Sequence, residues 1–300
     1  MRPVALWLQA KPWNGIIGLA FALVVPLLAS IASGAVIVML VLAHGVRVAL
    51  LQGIAAVAIA SGLATLLGGS GWPMLSNAAI VCVPGLLLAM LIQRTRSLSF
   101  TMQVSVIVAV MAVIGIHVLS GDPVALWGTV IDQSIAVLRE VGWNEQDVAT
   151  LASNREIIAR QMTMVSVFVP WSMLALAVVL GYALFQQLPE QVGRFGRFSD
   201  LQLGKVLAAS MALTSLAAAA VSAASLQDLA FVLFAVFWLQ GLAVMHWLHA
   251  EGVLPNLAII AVYALLPFLH VLLILGLAVL GYSDAWFNYR QRIAARRARR

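Results

Sequence analysis

Polar residues inside apolar stretches are the residues of this chain that could do chemistry. Gln240 lies near the middle of the apolar run 228–248, and His270 lies near the middle of the run 254–280. Polar groups at the centre of a membrane span are costly to bury and often functional. If the two runs are adjacent antiparallel helices, Gln240 and His270 meet at similar depth. Two interpretations stay open: a ligand or proton-relay site, or an interhelical hydrogen bond worth about 0.6 kcal/mol.

Other candidate residues lie at the ends of apolar runs. Arg47 follows His44 by three residues, on one helical face, where it anchors the chain at lipid phosphates or contacts an anionic substrate group. His246 and His249 are also three apart, but with Glu251 they match no established zinc pattern, so we expect interfacial histidines and no metal. The candidate ligand-binding residues are Gln240, His246, His270 and Arg47.

Two acidic residues flank the last two apolar runs. Asp228 stands directly before Leu229, in the position of a helix N-cap. Asp284 follows Gly281, a pattern typical of a helix C-terminus. Both carboxylates therefore have structural explanations, and His117, at the end of an earlier run, is expected to be a solvated interfacial histidine.

Catalytic motifs are missing from the sequence. It has no Gly-rich phosphate loop, no His-Glu-x-x-His and no Gly-x-Ser-x-Gly, and no acid lies near the centre of an apolar run. The absence of an acid near the centre of a span argues against a proton-coupled pump. We expect a protein that is not an enzyme, with no catalytic residues and no cofactor.

The composition identifies an integral membrane protein. Apolar residues make up 63% and charged residues 9% of the chain, against about 45–50% and about 25% in soluble domains. Six of the 17 basic residues lie in the last eleven positions, and most others lie in short loops between apolar runs. This distribution follows the positive-inside rule, so the net charge of +6 does not indicate nucleic-acid binding.

Runs of about 20 apolar residues predict membrane-spanning helices. The candidate segments are 13–31, 34–43, 49–67, 72–91, 100–119, 162–188, 206–224, 228–248 and 254–280. If all of them crossed, the arginine-rich end would lie on the wrong side by the positive-inside rule. We expect 206–224, or 254–280 with its Pro267, not to cross fully. The sequence predicts an all-α polytopic transmembrane helical bundle of about eight spans (8–9), and we expect about eight crossings with both termini cytoplasmic.

Residues 120–161 differ from the rest of the chain. They hold six acids and three bases, a net charge of −3, which places them on the outer side. Apolar residues recur there at three- and four-residue steps, as expected of an amphipathic helix over Pro123–Val141, and Asn144 is expected to cap a second helix. We expect a single membrane domain over 1–300 that carries this extramembrane helical insertion and a basic cytoplasmic tail at 290–300. The periodic apolar residues are Trp127, Val130, Ile131, Ile135, Leu138 and Val141.

Several stretches together carry a family resemblance that covers most of the chain. They are Leu-Ala-His-Gly-Val-Arg-Val-Ala-Leu-Leu-Gln-Gly at 42–53, Phe-Val-Pro-Trp at 168–171 with Gly181-Tyr182, Leu-Gln-Gly-Leu-Ala-Val-Met-His at 239–246, and Gly-Tyr-Ser-Asp-Ala-Trp-Phe-Asn-Tyr-Arg at 281–290. The chain resembles the YybS-like family of bacterial multi-pass membrane proteins, a domain of unknown function, and its closing motif is the most specific match. The resemblance implies a bacterial inner-membrane location and brings no catalytic residues.

Two functional hypotheses follow from the resemblance and from the residues. Proteins of this family look distantly like the substrate-binding S components of energy-coupling-factor transporters, which implies that the chain binds or transports a small molecule. The alternative is a non-enzymatic scaffold or regulator that holds partner proteins. The expected partners are the lipid bilayer, a small-molecule ligand and other membrane subunits, and no nucleic acid.

Overall fold

A computed structural model describes residues 1–25, 29–189, 191 and 195–297 of the chain. Within these ranges the regular structure is helical and contains no β-strand, which confirms the all-α prediction. The helices are α1 (Arg2–Ala10), α2 (Pro12–Val24), α3 (Ala29–His44), α4 (Val46–Leu66), α5 (Trp72–Asn77), a π-helix (Ala78–Cys82), α6 (Val83–Thr95), α7 (Leu98–Ser120), α8 (Pro123–Glu140), α9 (Glu145–Ser153), α10 (Arg155–Phe185), a 3₁₀ turn (Phe198–Asp200), α11 (Gly204–Val221), α12 (Ala224–Ala235), α13 (Phe237–Ala250), α14 (Asn256–Phe287) and α15 (Tyr289–Arg297).

Helices long and apolar enough to cross a membrane dominate the fold, as a polytopic bundle requires. By length and composition the described residues contain seven: Val46–Leu66, Trp72–Thr95, Leu98–Ser120, Arg155–Phe185, Gly204–Val221, Ala224–Ala250 and Phe268–Phe287. Three apolar helices are shorter, namely Pro12–Val24, Ala29–His44 and Asn256–Leu266. Gly204–Val221 has the lowest mean hydropathy of the seven, 1.5, in agreement with the weakly hydrophobic segment seen in the sequence.

Prolines lie beside two of the places where long apolar runs depart from a regular α-helix. A proline has no amide hydrogen and cannot complete the helical hydrogen-bond ladder. Pro84 is the second residue of α6, which begins at Val83 directly after the π-helix, whose wider turn accommodates the missing bond. In α14, Leu269 adopts a non-helical conformation (φ −118°, ψ 30°) two residues after Pro267. The expected break of the run 254–280 is therefore confirmed.

The chain forms two compact units. Unit 1 consists of residues 1–105, 171–203 and 242–264, and unit 2 of residues 106–170, 204–241 and 265–300. In unit 1, α3 is the central helix and packs against α2, α4 and α6. Glycines allow close packing there, because a Cβ on Gly34 would overlap Ala177 and one on Gly181 would overlap the Ala35 carbonyl.

The acidic insertion forms a helical hairpin within unit 2. Helix α8 begins at Pro123, where the Asp122 carboxylate accepts hydrogen bonds from the amides of Val124 and Ala125. The Asn144 side chain caps α9 by accepting from the Gln146 amide. Both predicted helices are thereby confirmed. The hairpin core consists of Ile131, Ile135, Val148 and Ala159.

Two details of the hairpin refine the prediction. Val130 and Val141 are 38% and 68% exposed. The buried face of this segment therefore includes fewer residues than the apolar pattern predicted. On the exposed side, Arg155 donates to Asp132 from Nε and Nη2, at 2.7 Å each. These hydrogen bonds hold the pKa of the Asp132 carboxyl below its usual value.

Candidate functional site

Gln240 lies in the core of unit 2, where its partner is a carboxylate. The side chain is 1% exposed, and its Nε2 donates a hydrogen bond to Oδ2 of Asp284 at 3.0 Å. Nη2 of Arg290 donates to the same Oδ2 at 2.8 Å. Asp284 and Arg290 are themselves 1% and 5% exposed. The Gln240 side-chain amide, a candidate ligand group in the sequence, therefore contacts a buried ion pair.

Asp284 does not end a helix, contrary to the sequence-based interpretation. Helix α14 continues through it to Phe287, and the left-handed residue that follows the helix is Asn288 (φ 48°). The helix can continue because the charge of Asp284 is satisfied by Arg290 rather than by solvent. Arg290 is correspondingly a buried residue of unit 2, and the exposed basic segment begins after it.

Two glycines bring Gln240 and Asp284 together. A Cβ on Gly281 would overlap the carbonyl oxygen of Phe237, and a Cβ on Gly241 would overlap that of Leu277. The backbones of α13 and α14 therefore touch at this crossing, as small residues permit in membrane helix packing. Asp284 follows Gly281 by three residues and lies on the same face of α14, beside the helix that carries Gln240.

The other sequence-predicted ligand residues occupy separate environments. His270 is exposed, next to the bend at Leu269. Arg47 is exposed in the first turn of α4, and Gly45 (φ 85°) separates that helix from α3, which ends at His44. The expectation that Arg47 and His44 share one helical face is therefore wrong, because the chain turns between them. None of the hydrogen bonds described here joins two of the four candidates.

His246 lies in unit 1 in an aromatic setting. Its Nε2 is 2.9 Å from the Tyr263 hydroxyl, and the Phe198 ring meets it edge-on with centroids 5.5 Å apart. His249 Nδ1 is 3.1 Å from the Leu254 carbonyl oxygen. In the part of the chain that the structure describes, no three His, Cys, Asp or Glu side chains are placed to hold a metal ion.

A pocket in unit 2 brings together several polar and ionisable side chains. Its volume is about 370 Å³, within the range of small-ligand sites. It lies where α7 ends and where α8 and α12 begin, next to the early turns of α10. We define the polar pocket by six of its lining residues: His117, Asp122, Arg160, Thr163, Gln227 and Asp228.

The lining of the polar pocket includes a histidine–aspartate pair. His117 Nε2 lies 2.9 Å from Asp228 Oδ2, and the side chains are 16% and 9% exposed. Arg160, in the early part of α10, adds a cation to the lining and is paired with Glu156 at 2.6 Å. The Thr163 hydroxyl accepts a hydrogen bond from the Trp127 indole at 2.9 Å. The pocket therefore offers a carboxylate, an imidazole and a guanidinium to one small volume.

Sequence reasoning missed this site because it treated both members of the pair as terminal residues. Helix α12 begins at Ala224 with Ala223 as its N-cap, so the N-cap interpretation of Asp228 is wrong and the carboxylate lies inside the helix. His117 is likewise a partner of Asp228 rather than a solvated interfacial residue. The sequence feature that could have revealed the site is an acid and a histidine at the ends of apolar runs, where an unpaired charge is costly.

Unit 1 contains a groove of different character. The apolar groove has a volume of about 400 Å³ and lies among α2, α3, α4, α5, the π-helix and the start of α6, with Ile37, Leu50, Ile54 and Val83 in its lining. Ser61 and Cys82 are the polar side chains in that lining. Several lining residues are exposed, among them Leu50, Ile54 and Val83. Such a surface can hold hydrocarbon but offers little to orient a polar ligand.

One comparison with known proteins gives a match. A family model described as "Predicted membrane protein (DUF2232)" matches residues 15–285, which is most of the chain. The match confirms the resemblance to a YybS-like family of multi-pass membrane proteins. No curated protein and no solved structure matches the chain.

Proposed function

The chain belongs to the DUF2232 family of predicted membrane proteins, and we propose that it binds a small polar molecule in the polar pocket of unit 2. The observation that carries the proposal is the His117–Asp228 pair, 2.9 Å apart on the wall of a cavity of about 370 Å³. Concave sites with a few convergent polar groups are the usual ligand sites of proteins. The larger role, by resemblance, is that of an S-component-like transport subunit.

The pocket lies at helix ends, which is where a water-soluble ligand would enter. His117 is in the last turn of α7, and Asp228 is in the second turn of α12. Since α7 and α12–α13 are candidate spans, these positions fall near a membrane–water boundary. A ligand carrying a positive group would replace His117 as the partner of Asp228, and a carboxylate on the ligand would meet Arg160.

Binding without catalysis is the simpler use of these residues. A nucleophile needs a base within hydrogen-bond distance, about 2.6–3.2 Å. Among the described residues, no hydrogen bond joins the Thr163 hydroxyl to His117: the hydroxyl accepts from Trp127, and His117 Nε2 pairs with Asp228. We therefore propose a binding protein that is not an enzyme.

Native mass spectrometry of the full chain in mild detergent tests the proposal. We expect wild-type protein to retain a small molecule of defined mass and Asp228→Asn to lose it. Asp147→Asn is the matched control, because it removes the same charge from an exposed residue of the same unit and should retain the molecule. If Asp228→Asn fails to fold, Ser225→Trp fills the pocket without altering the pair and should also abolish binding.

The alternative role as a scaffold makes a different prediction in the same experiment. Co-purifying protein subunits, without a small molecule, would contradict the binding proposal and favour the scaffold. Removal of residues 291–300 should then release the subunits. The truncation begins after Arg290, because loss of that residue would leave the buried Asp284 without its cation.

A further inference from the structure

The arginines of α15 lie in two different environments. Arg290 is 5% exposed and bonded to Asp284, whereas Arg292, Arg296 and Arg297 are exposed. The helix Tyr289–Arg297 contains no acidic residue. One arginine therefore fixes the start of α15 to the end of α14, and the exposed ones form an outward-facing cationic surface.

Exposed aromatic residues mark the level at which this cationic surface begins. Trp286 and Phe287 end the candidate span Phe268–Phe287 and are 41% and 49% exposed. Phe287 stacks on Tyr289, with ring centroids 5.9 Å apart, and the Arg292 guanidinium lies 5.9 Å from the Phe287 centroid. Tryptophan and other aromatic rings at the end of a span are typical of the headgroup region of a bilayer.

The length of α15 keeps its arginines close to that level. Nine residues span about 13 Å at about 1.5 Å per residue, and Arg292 lies only five residues after Phe287. A Debye length in physiological salt is about 8 Å, so Arg292 lies within that distance of the headgroup level, and Arg296 lies about one helical turn further along α15. Arginine also binds phosphate through paired hydrogen bonds.

We propose that α15 is a binding surface for anionic phospholipid headgroups, held at the headgroup level by the Arg290–Asp284 ion pair. Arg292 and Arg296 contact the lipid phosphates, while Trp286 and Phe287 lie among the upper acyl chains. This surface is separate from the polar pocket and does not depend on the function proposed for it.

Titration of the full chain in neutral detergent with short-chain lipids tests the proposal. Dioctanoyl phosphatidylglycerol is the anionic probe and dioctanoyl phosphatidylcholine the neutral one, with binding followed by native mass spectrometry. Each basic residue near an anionic lipid surface contributes about fivefold to binding. We expect the double variant R292Q/R296Q to bind phosphatidylglycerol about 25-fold more weakly and phosphatidylcholine as before.

The control is R139Q, which removes a charge from an exposed arginine in the last turn of α8, outside the candidate spans, and should keep the phosphatidylglycerol affinity. An equal loss in both variants would overturn the proposal, because net charge alone would then explain binding. Absence of a preference for phosphatidylglycerol in the wild-type protein would overturn it as well. Displacement by inorganic phosphate, at ionic strength matched with chloride, would show a free-phosphate site instead. Both variants change exposed residues, and size-exclusion chromatography verifies that they fold.

Discussion

A carboxylate buried in an apolar helix is stable only with a cation at hydrogen-bond distance, and Asp284 has one in Arg290. The sequence placed Arg290 at the start of a basic tail, since five further arginines follow it. The structure shows that it differs from them, because its guanidinium is buried against Oδ2 of Asp284 together with the amide of Gln240. A residue's role here depends on its partner rather than on its position in a charge run.

Removing the charge of Asp284 should therefore destabilise unit 2. Asp284→Asn removes the carboxylate that the buried Arg290 guanidinium contacts at 2.8 Å, and we expect a loss of about 3 kcal/mol or more in the free energy of unfolding. The measurement is unfolding by dodecyl sulfate in mixed micelles. The double variant Asp284→Asn with Arg290→Met also removes the guanidinium and should be more stable than Asp284→Asn alone. A double variant that is less stable than both single variants would contradict a charge-pair explanation.

At the scale of elements, the crossing of α13 and α14 depends on glycine at two positions. The resemblance to the family was most specific in the motif that begins Gly281-Tyr-Ser-Asp284, and the packing supplies a physical reason for that spacing. Gly281 lets the two backbones touch, and Asp284, one turn later, then faces Gln240. The glycine and the acid thus act together.

Alanine at Gly281 should disrupt this crossing. Its Cβ would overlap the Phe237 carbonyl oxygen, which belongs to rigid backbone, and overpacking of this kind costs about 1–3 kcal/mol. Gly276→Ala in the same helix is the control, since a Cβ there meets nothing within 4 Å and alanine favours the helix by up to about 1 kcal/mol. Thermal unfolding in detergent distinguishes the two. Equal stability of both variants would show that the crossing does not need glycine.

At the scale of the whole molecule, the distribution of charge along the chain predicts its orientation in the membrane. Seven helices within the described residues are long enough to cross, and three apolar helices are shorter. Charge distribution predicts that the acidic hairpin α8–α9 lies outside and that α15 lies in the cytoplasm. An even number of full crossings would place both termini in the cytoplasm, as the charge distribution predicts.

Cysteine labelling of intact cells tests this orientation. The single native cysteine, Cys82, is first replaced by serine, and Ala149→Cys in α9 or Ala294→Cys in α15 is then introduced at an exposed position. We expect a membrane-impermeant maleimide to label the α9 cysteine, and to label the α15 cysteine only after permeabilisation. Labelling of α15 in intact cells would contradict a cytoplasmic C-terminus.

Composition and local patterns were enough to predict the membrane class, the helices of the insertion and the Asn144 cap. Membrane class follows from composition, and the helices of the insertion follow from periodicity and from Asn144, since both signals depend on residues within a few positions. The sequence did not determine which polar groups meet, because His117 and Asp228 lie 111 residues apart. In membrane spans that are apolar on every side, no amphipathic face indicates how a helix is rotated. Only the tertiary structure, through backbone contacts such as those at Gly241 and Gly281, decided that Gln240 and Arg290 converge on Asp284 and that the polar pocket forms around Asp228.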